Sequence, residues 1–148
     1  MKVLYTAEAQ VTGGRDEGHG RTSDGSLEVD LRVPADLGGP GGGTNPEQLF
    51  AIGFASCFES AVKVVARRAK QPADDVSVDA KVMLLPTPEK GFKLAAQLDV
   101  QLPSVQDPDQ AQELVRGAHQ VCPYSAATRG NIDVALTVNG QPVDGGAS

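Results

Sequence analysis

The segment from Thr44 to about Lys70 constrains this chain most, because it reads as one long helix with more apolar surface than a small protein readily covers. Its start is well marked. Asn45 can cap the helix, Pro46 suits the first helical position, and Glu47 puts a carboxylate where the helix dipole favours it. Leu49, Phe50, Phe54, Cys57, Ala61 and Val65 then recur mainly at intervals of three and four, the spacing of one helical face. Residues 51–55 are apolar nearly all round, and Gly53 among them permits a close neighbour. Pro72 ends the pattern.

The rest of the sequence offers little to pack against that helix. A chain of 148 residues has room for one ordinary domain. Val3, Tyr5, Ala7, Ala9 and Val11 alternate as an opening strand over residues 1–12, which Gly13-Gly14 ends. Residues 15–25 are polar and turn-rich, and Leu27, Val29, Leu31 and Val33 predict a second strand closed by Pro34. The DLGGPGGG run at 36–43 lacks the Gly-Lys-Ser/Thr ending of a phosphate loop. Residues 76–85 and 91–102 predict a hairpin. A second helix opens at Asp107 or Pro108, carries Ala111, Leu114, Val115 and Ala118, and stops before Pro123. Residues 132–138 predict a last strand. This order is that of an α+β fold with a single domain over 1–138, and the polar, Gly-rich tail over 139–148 is expected to be disordered. One sheet face and one short helix are too little to cover the long helix, so a homodimer that buries the remainder is expected.

Composition narrows the function classes. A formal net charge of −6 argues against a nucleic-acid or anionic-membrane surface. No uninterrupted apolar stretch is read as a membrane span, and the first residues read as a strand rather than an export signal, so the expected location is cytoplasmic. With 4% aromatic residues and no Trp, the core must rest on Val, Leu, Ile and Ala.

Two cysteines carry the remaining interest. Cys57 lies on the apolar face of the long helix. As a core thiol it would be inert. As a nucleophile it needs a positive charge nearby, since the thiolate is the reactive form. Lys63, the nearest basic residue along the helix, faces elsewhere, so any activator must come from another part of the fold. Cys122 closes the second helix three residues after His119. Redox chemistry, metal binding and simple burial all remain open at this point. His19 is the only other imidazole, and this spacing is sparser than zinc sites use, so no metal is expected. His119 reads as a helix C-terminal residue facing the dipole or solvent.

Longer motifs say more. The segments TGGRD (12–16), TSDG (22–25), LGGPGGGTNPEQLFA (37–51), ASCF (55–58) and HQVCPYSAATRGNIDV (119–134) resemble the organic hydroperoxide resistance (Ohr) family of the OsmC/Ohr superfamily. The match runs in order from about residue 3 to residue 138, and the CPYS and ATRGNI pieces favour the Ohr branch. The resemblance implies antiparallel sheets with a long central helix, an intertwined homodimer with sites at the subunit interface, and a thiol-dependent peroxidase without a cofactor. Cys57 would attack an organic hydroperoxide and become a sulfenic acid, and Cys122 would resolve it as a disulfide. Arg15 and Glu47 would complete the site, and dithiols, especially protein-bound dihydrolipoyl groups, would regenerate the thiols. The family usually has CPYSNATRG where this chain has Ala126, a change expected to affect a loop contact near Cys122 more than the chemistry.

Those roles make physical sense. Arg15 keeps its charge even when buried, and its fork can hold Glu47 while another N–H points at sulfur. Glu47 and Cys57 are ten positions apart, a rise of roughly 15 Å in a straight helix. Either the helix breaks near Gly53, or Arg15 and Glu47 of one chain serve Cys57 of another; the second is expected. Phe50, Phe54, Phe58 and Ile52, with Leu49, are expected to wall an apolar pocket favouring alkyl or fatty-acid hydroperoxides over hydrogen peroxide, since each buried methylene contributes about 0.8 kcal/mol. The competing readings are an OsmC-type peroxidase of different substrate breadth and a non-catalytic redox sensor or small apolar ligand-binding protein.

Overall fold

The long helix forms as its sequence requires. In the computed structural model, which describes residues 1–143, α1 runs unbroken through Pro46–Arg68. The Asn45 side chain accepts a hydrogen bond from the Gln48 backbone N–H at 2.9 Å, so the expected cap is present. The chain divides into two compact units, Met1–Leu49 and Phe50–Ser148.

In the first unit, β1 (Ala9–Thr12), β2 (Gly18–Thr22) and β3 (Glu28–Leu31) form an antiparallel sheet in that order. A single 3-10 turn, Ala35–Leu37, and a bridge between Leu31 and Thr44 return the chain to the helix cap. Two expectations are corrected here. The opening strand covers only its last four residues; Val3, Leu4 and Tyr5 are exposed, because β2 ends opposite Ala9 and no described strand continues the pairing. The central strand β2 lies where a polar loop is expected. Its Gly-His-Gly-Arg-Thr sequence has low strand propensity, and pairing on both sides overrides that.

In the second unit, β4 (Ser77–Pro86) and β5 (Phe92–Gln101) form the expected hairpin, paired antiparallel from Ser77↔Gln101 to Pro86↔Phe92. β6 (Val134–Val138) lies parallel to β5, and β7 (Gln141–Pro142) closes the edge. The helix α2 (Pro108–Val121) starts at an Asp107 cap and is followed at once by α3 (Pro123–Thr128). Phe54, Phe58 and Val62 of α1, Leu98 and Val100 of β5, Val134 and Val138 of β6, and Leu114 and Val115 of α2 share one core. The tail is ordered further than expected. Asn139 exchanges hydrogen bonds with the Leu102 backbone at 2.8 and 3.1 Å, and Val143 is buried; the rest of the tail, 144–148, lies outside the described residues.

By length and composition α1 could cross a membrane, with a mean hydropathy of 1.6, contrary to the expectation that no stretch would qualify. It is instead the core helix of its unit, with Phe54, Phe58 and Val62 fully buried and a Glu59–Lys63 ion pair of 2.8 Å on its outer side. Only 28% of its apolar window is buried within the described chain. Leu98 has no exposed surface. Leu98→Ala should therefore lower unfolding free energy by about 2–5 kcal/mol, read as a reduced urea midpoint at fixed protein concentration.

Candidate active site

Arg15 sits at the tip of the β1–β2 hairpin, where Gly13 and Gly14 take positive φ of 77° and 60° and turn the chain outward. Its guanidinium donates two hydrogen bonds to the Glu47 carboxylate, at 2.9 Å and 2.6 Å. Glu47 is fixed in turn by its place in the first turn of α1, two residues after the Asn45 cap. The sequence thus brings Arg15 and Glu47 together across 32 residues in the expected fork. The Arg15 hydrogen bond holds the Glu47 carboxyl below its usual range, against the opposing effect of burial, and the same bond raises Arg15.

In the second unit, the Cys57 and Cys122 sulfurs lie 3.4 Å apart. Cys57 is half-buried on α1, and Cys122 is fully buried at the junction where α2 ends and α3 begins. Disulfide bonding at about 2.05 Å requires the sulfurs to close by only about 1.4 Å, a side-chain adjustment. Burial pushes the Cys57 thiol up, a hydrogen bond from the Tyr124 backbone N–H pulls it down, and the neighbouring Cys122 sulfur adds to the rise. The net direction is upward, so the Phe50–Ser148 unit alone holds Cys57 as a thiol.

Tyr124 is the residue that sequence reasoning missed. Besides its N–H, it lays its ring on α1: a Cβ added at Gly53 would stand 2.5 Å from Tyr124 Oη and 3.0 Å from Cζ. The ring also packs against Phe50 and Phe54, with centroids 5.8 and 5.7 Å away. The CPY order was the available signal, since Pro123 at the first position of a helix leaves the next amide free to point outward.

An open cleft of about 720 Å³ borders Cys57, lined among others by Ile52, Ser60, Val64, Arg68, Val121 and Tyr124. Of the expected pocket residues, Ile52 lines this cleft and is well exposed, while Phe50 packs against Tyr124. Phe54 and Phe58 do not line it. They have no exposed surface, because they lie on the core stripe of α1. His119 is likewise corrected: it is buried rather than solvent-facing, four residues after Val115 on the inner stripe of α2, and burial lowers its pKa. Among the described residues no cluster of three or more His, Cys, Asp or Glu is arranged to hold a metal.

Fold and paired thiols together define an α+β protein of the two-cysteine kind. The family model of OsmC-like proteins matches residues 39–137. An organic hydroperoxide resistance protein of Xanthomonas axonopodis pv. citri is 52% identical over 139 residues, covering 93% of this chain and 96% of that one. The crystal structure of an organic hydroperoxide resistance protein from Legionella pneumophila matches with a TM-score of 0.88 at 52% identity, over 93% of this chain and 98% of that one. That of OhrB from Bacillus subtilis matches with a TM-score of 0.83 at 42% identity, over 92% and 99%. The chain belongs to the organic hydroperoxide resistance (Ohr) family, within the OsmC-like proteins.

The Arg15–Glu47 pair predicts a pH signature. Because the folded-state pKa of Glu47 is depressed, the pair's contribution to stability is present above the unfolded value near about 4.3 and is lost as pH falls through the lower folded value. Arg15 is 45% exposed, which limits the contribution to about 1 kcal/mol or less. Glu47→Gln should melt below the parent above about pH 5, and the difference should close as pH falls below about 4. Melting temperatures across that range check it.

Proposed function

We propose that the protein is a thiol-dependent peroxidase that reduces organic hydroperoxides to alcohols. The observation that carries this reading is the 3.4 Å approach of the two sulfurs beside an open, partly apolar cleft. The names of its relatives as organic hydroperoxide resistance proteins support a role in detoxifying such compounds. In the proposed cycle the Cys57 thiolate attacks the outer peroxide oxygen, the O–O bond breaks, and the alkoxide leaves as the alcohol after taking a proton. Cys57 is then a sulfenic acid. The Cys122 sulfur attacks it, water leaves, and a Cys57–Cys122 disulfide forms. A dithiol, such as a dihydrolipoyl group on a carrier protein, reduces that disulfide, as expected in a reducing cytoplasm.

The activating cation is proposed to be Arg15 of a partner subunit, oriented by Glu47. Three observations support this arrangement. Cys57 is raised, not lowered, by its own unit. The helix α1 has no break near Gly53, so Glu47 and Cys57 stay a rise of roughly 15 Å apart. Most of the apolar window of α1 is left uncovered by the described chain, and Met1, Val3, Leu4 and Tyr5 extend unpaired before β1; a homodimer would bury both.

With dihydrolipoamide as reductant, the parent should consume an alkyl hydroperoxide and Cys57→Ser should not; equal rates would overturn the peroxidase reading. Cys122→Ser should consume one equivalent and form no intrachain disulfide. Cys57→Ser and Arg15→Ala, each inactive alone, should regain activity when unfolded and refolded together. Only a trans arrangement gives the mixed dimer one complete site, and a mixture that stays inactive would assign Arg15 to its own chain.

A further inference from the structure

The cleft beside Cys57 is not uniform along its length. Gly53, Cys57, Ala61, Val64 and Arg68 line it from α1 at intervals of three and four, so they form one stripe of the helix. Cys57 and Arg68 are eleven positions apart, a rise of about 16 Å, and their directions around the helix differ by only about 20°. Between them the wall is built from Ala61 and Val64, with Ser60 alongside and Val121 across from α2. An apolar trough thus runs from a thiol at one point to a guanidinium at another. Helical side chains lean toward the N-terminus, which brings the Arg68 head back over the turn of Val64 and toward the trough.

Arg68 is exposed, and among the described residues no carboxylate lies within ion-pairing distance of it. Its neighbour Arg67 shares the last turn and therefore the same interaction with the helix dipole, but lines a separate small cleft with Lys63, Gln71 and Asp74. The dipole accounts for a cation in this turn. It does not account for one of the two being placed in the cleft that holds Cys57.

We propose that Arg68 is a specificity residue that binds the carboxylate of long-chain acids lying along α1, with the acid group at Arg68 and the reacting part of the chain at Cys57. This rests on the peroxidase reading for its catalytic meaning, but the anchoring itself does not. Alkyl carbons fill the Ala61–Val64–Val121 trough, and the planar guanidinium pairs with the carboxylate through two N–H donors. Chain length matters, because a short acid cannot reach Arg68 while placing any carbon beside Cys57.

Binding of oleate, octanoate and methyl oleate to the reduced protein, followed by calorimetry, separates anchoring from turnover. Arg68→Gln should weaken oleate about tenfold, equivalent to about 1.4 kcal/mol, and leave methyl oleate unchanged. Arg68→Lys should keep most of the affinity, and Arg67→Gln should behave as the parent. Octanoate should bind more weakly than oleate and lose less on Arg68→Gln. In turnover, Arg68→Gln should raise KM for a linoleic acid hydroperoxide several-fold more than KM for its methyl ester, with kcat little changed. Unchanged oleate affinity in Arg68→Gln, or equal losses for oleate and methyl oleate, would overturn the proposal. A parent protein that binds oleate through Arg68 yet consumes no hydroperoxide would instead overturn the peroxidase reading.

Discussion

The core and the cleft of the Phe50–Ser148 unit depend on the helical period of α1. Its 23 residues present two stripes with different duties and a first turn with a third. Phe54, Phe58, Val62 and Ala66 turn inward and make the core of their unit, with Ala61 at the border between core and cleft. Ile52, Cys57, Val64 and Arg68 turn toward the cleft. The first turn is held by the Asn45 cap and carries Glu47 for Arg15. Because the stripes share one rigid rod, a shift in how the core packs would rotate the thiol with it. Burial by Phe58 and the direction of Cys57 are therefore one constraint, since neighbouring positions on a helix differ by about 100°.

The Arg15–Glu47 pair and the two thiols are built on opposite electrostatic principles. Arg15 and Glu47 satisfy one another through a bidentate pair at the surface, where water still shares the charge. Cys57 occupies an environment that disfavours charge, and the Tyr124 amide offsets part of that by donating to its sulfur. A low-dielectric thiol and a well-oriented cation gain most from each other when they meet, because desolvation strengthens the attraction.

Much of this was legible in the residues. The cap, the start and length of α1, the β4–β5 hairpin and the start of α2 all follow from local signals, namely Asn45-Pro46, three- and four-residue spacing, alternation, and Asp107-Pro108. What escaped depends on contacts distant in sequence. A Gly-His-Gly segment becomes a central strand because two neighbours pair with it. Asn139 looks like the start of a loose tail until its amide meets Leu102. Phe54 and Phe58 sit on an apolar helix with Cys57, and spacing alone does not say which stripe faces the sheet and which the cleft. Pro123 was legible as a helix stop, and its second use, as the first residue of α3, was not. The fork between Arg15 and Glu47 was reached only through the family resemblance, since Arg15 alone reads as a solvated turn residue.

That double use of Pro123 matters for the sulfur chemistry. A helix begins with several amide hydrogens that have no partner within it. Proline at the first position removes one of them, so Tyr124 supplies the foremost amide of α3, and Cys57 is its acceptor. Any other residue at 123 would present a second amide beside Cys122, able to compete for the same sulfur. The ring also narrows the backbone freedom of Cys122, which precedes it and adopts the extended angles, φ −70° and ψ 122°, that a residue before proline favours. Proline thus acts as a filter on hydrogen-bond traffic, leaving one donor and one thiol in register where two helices meet.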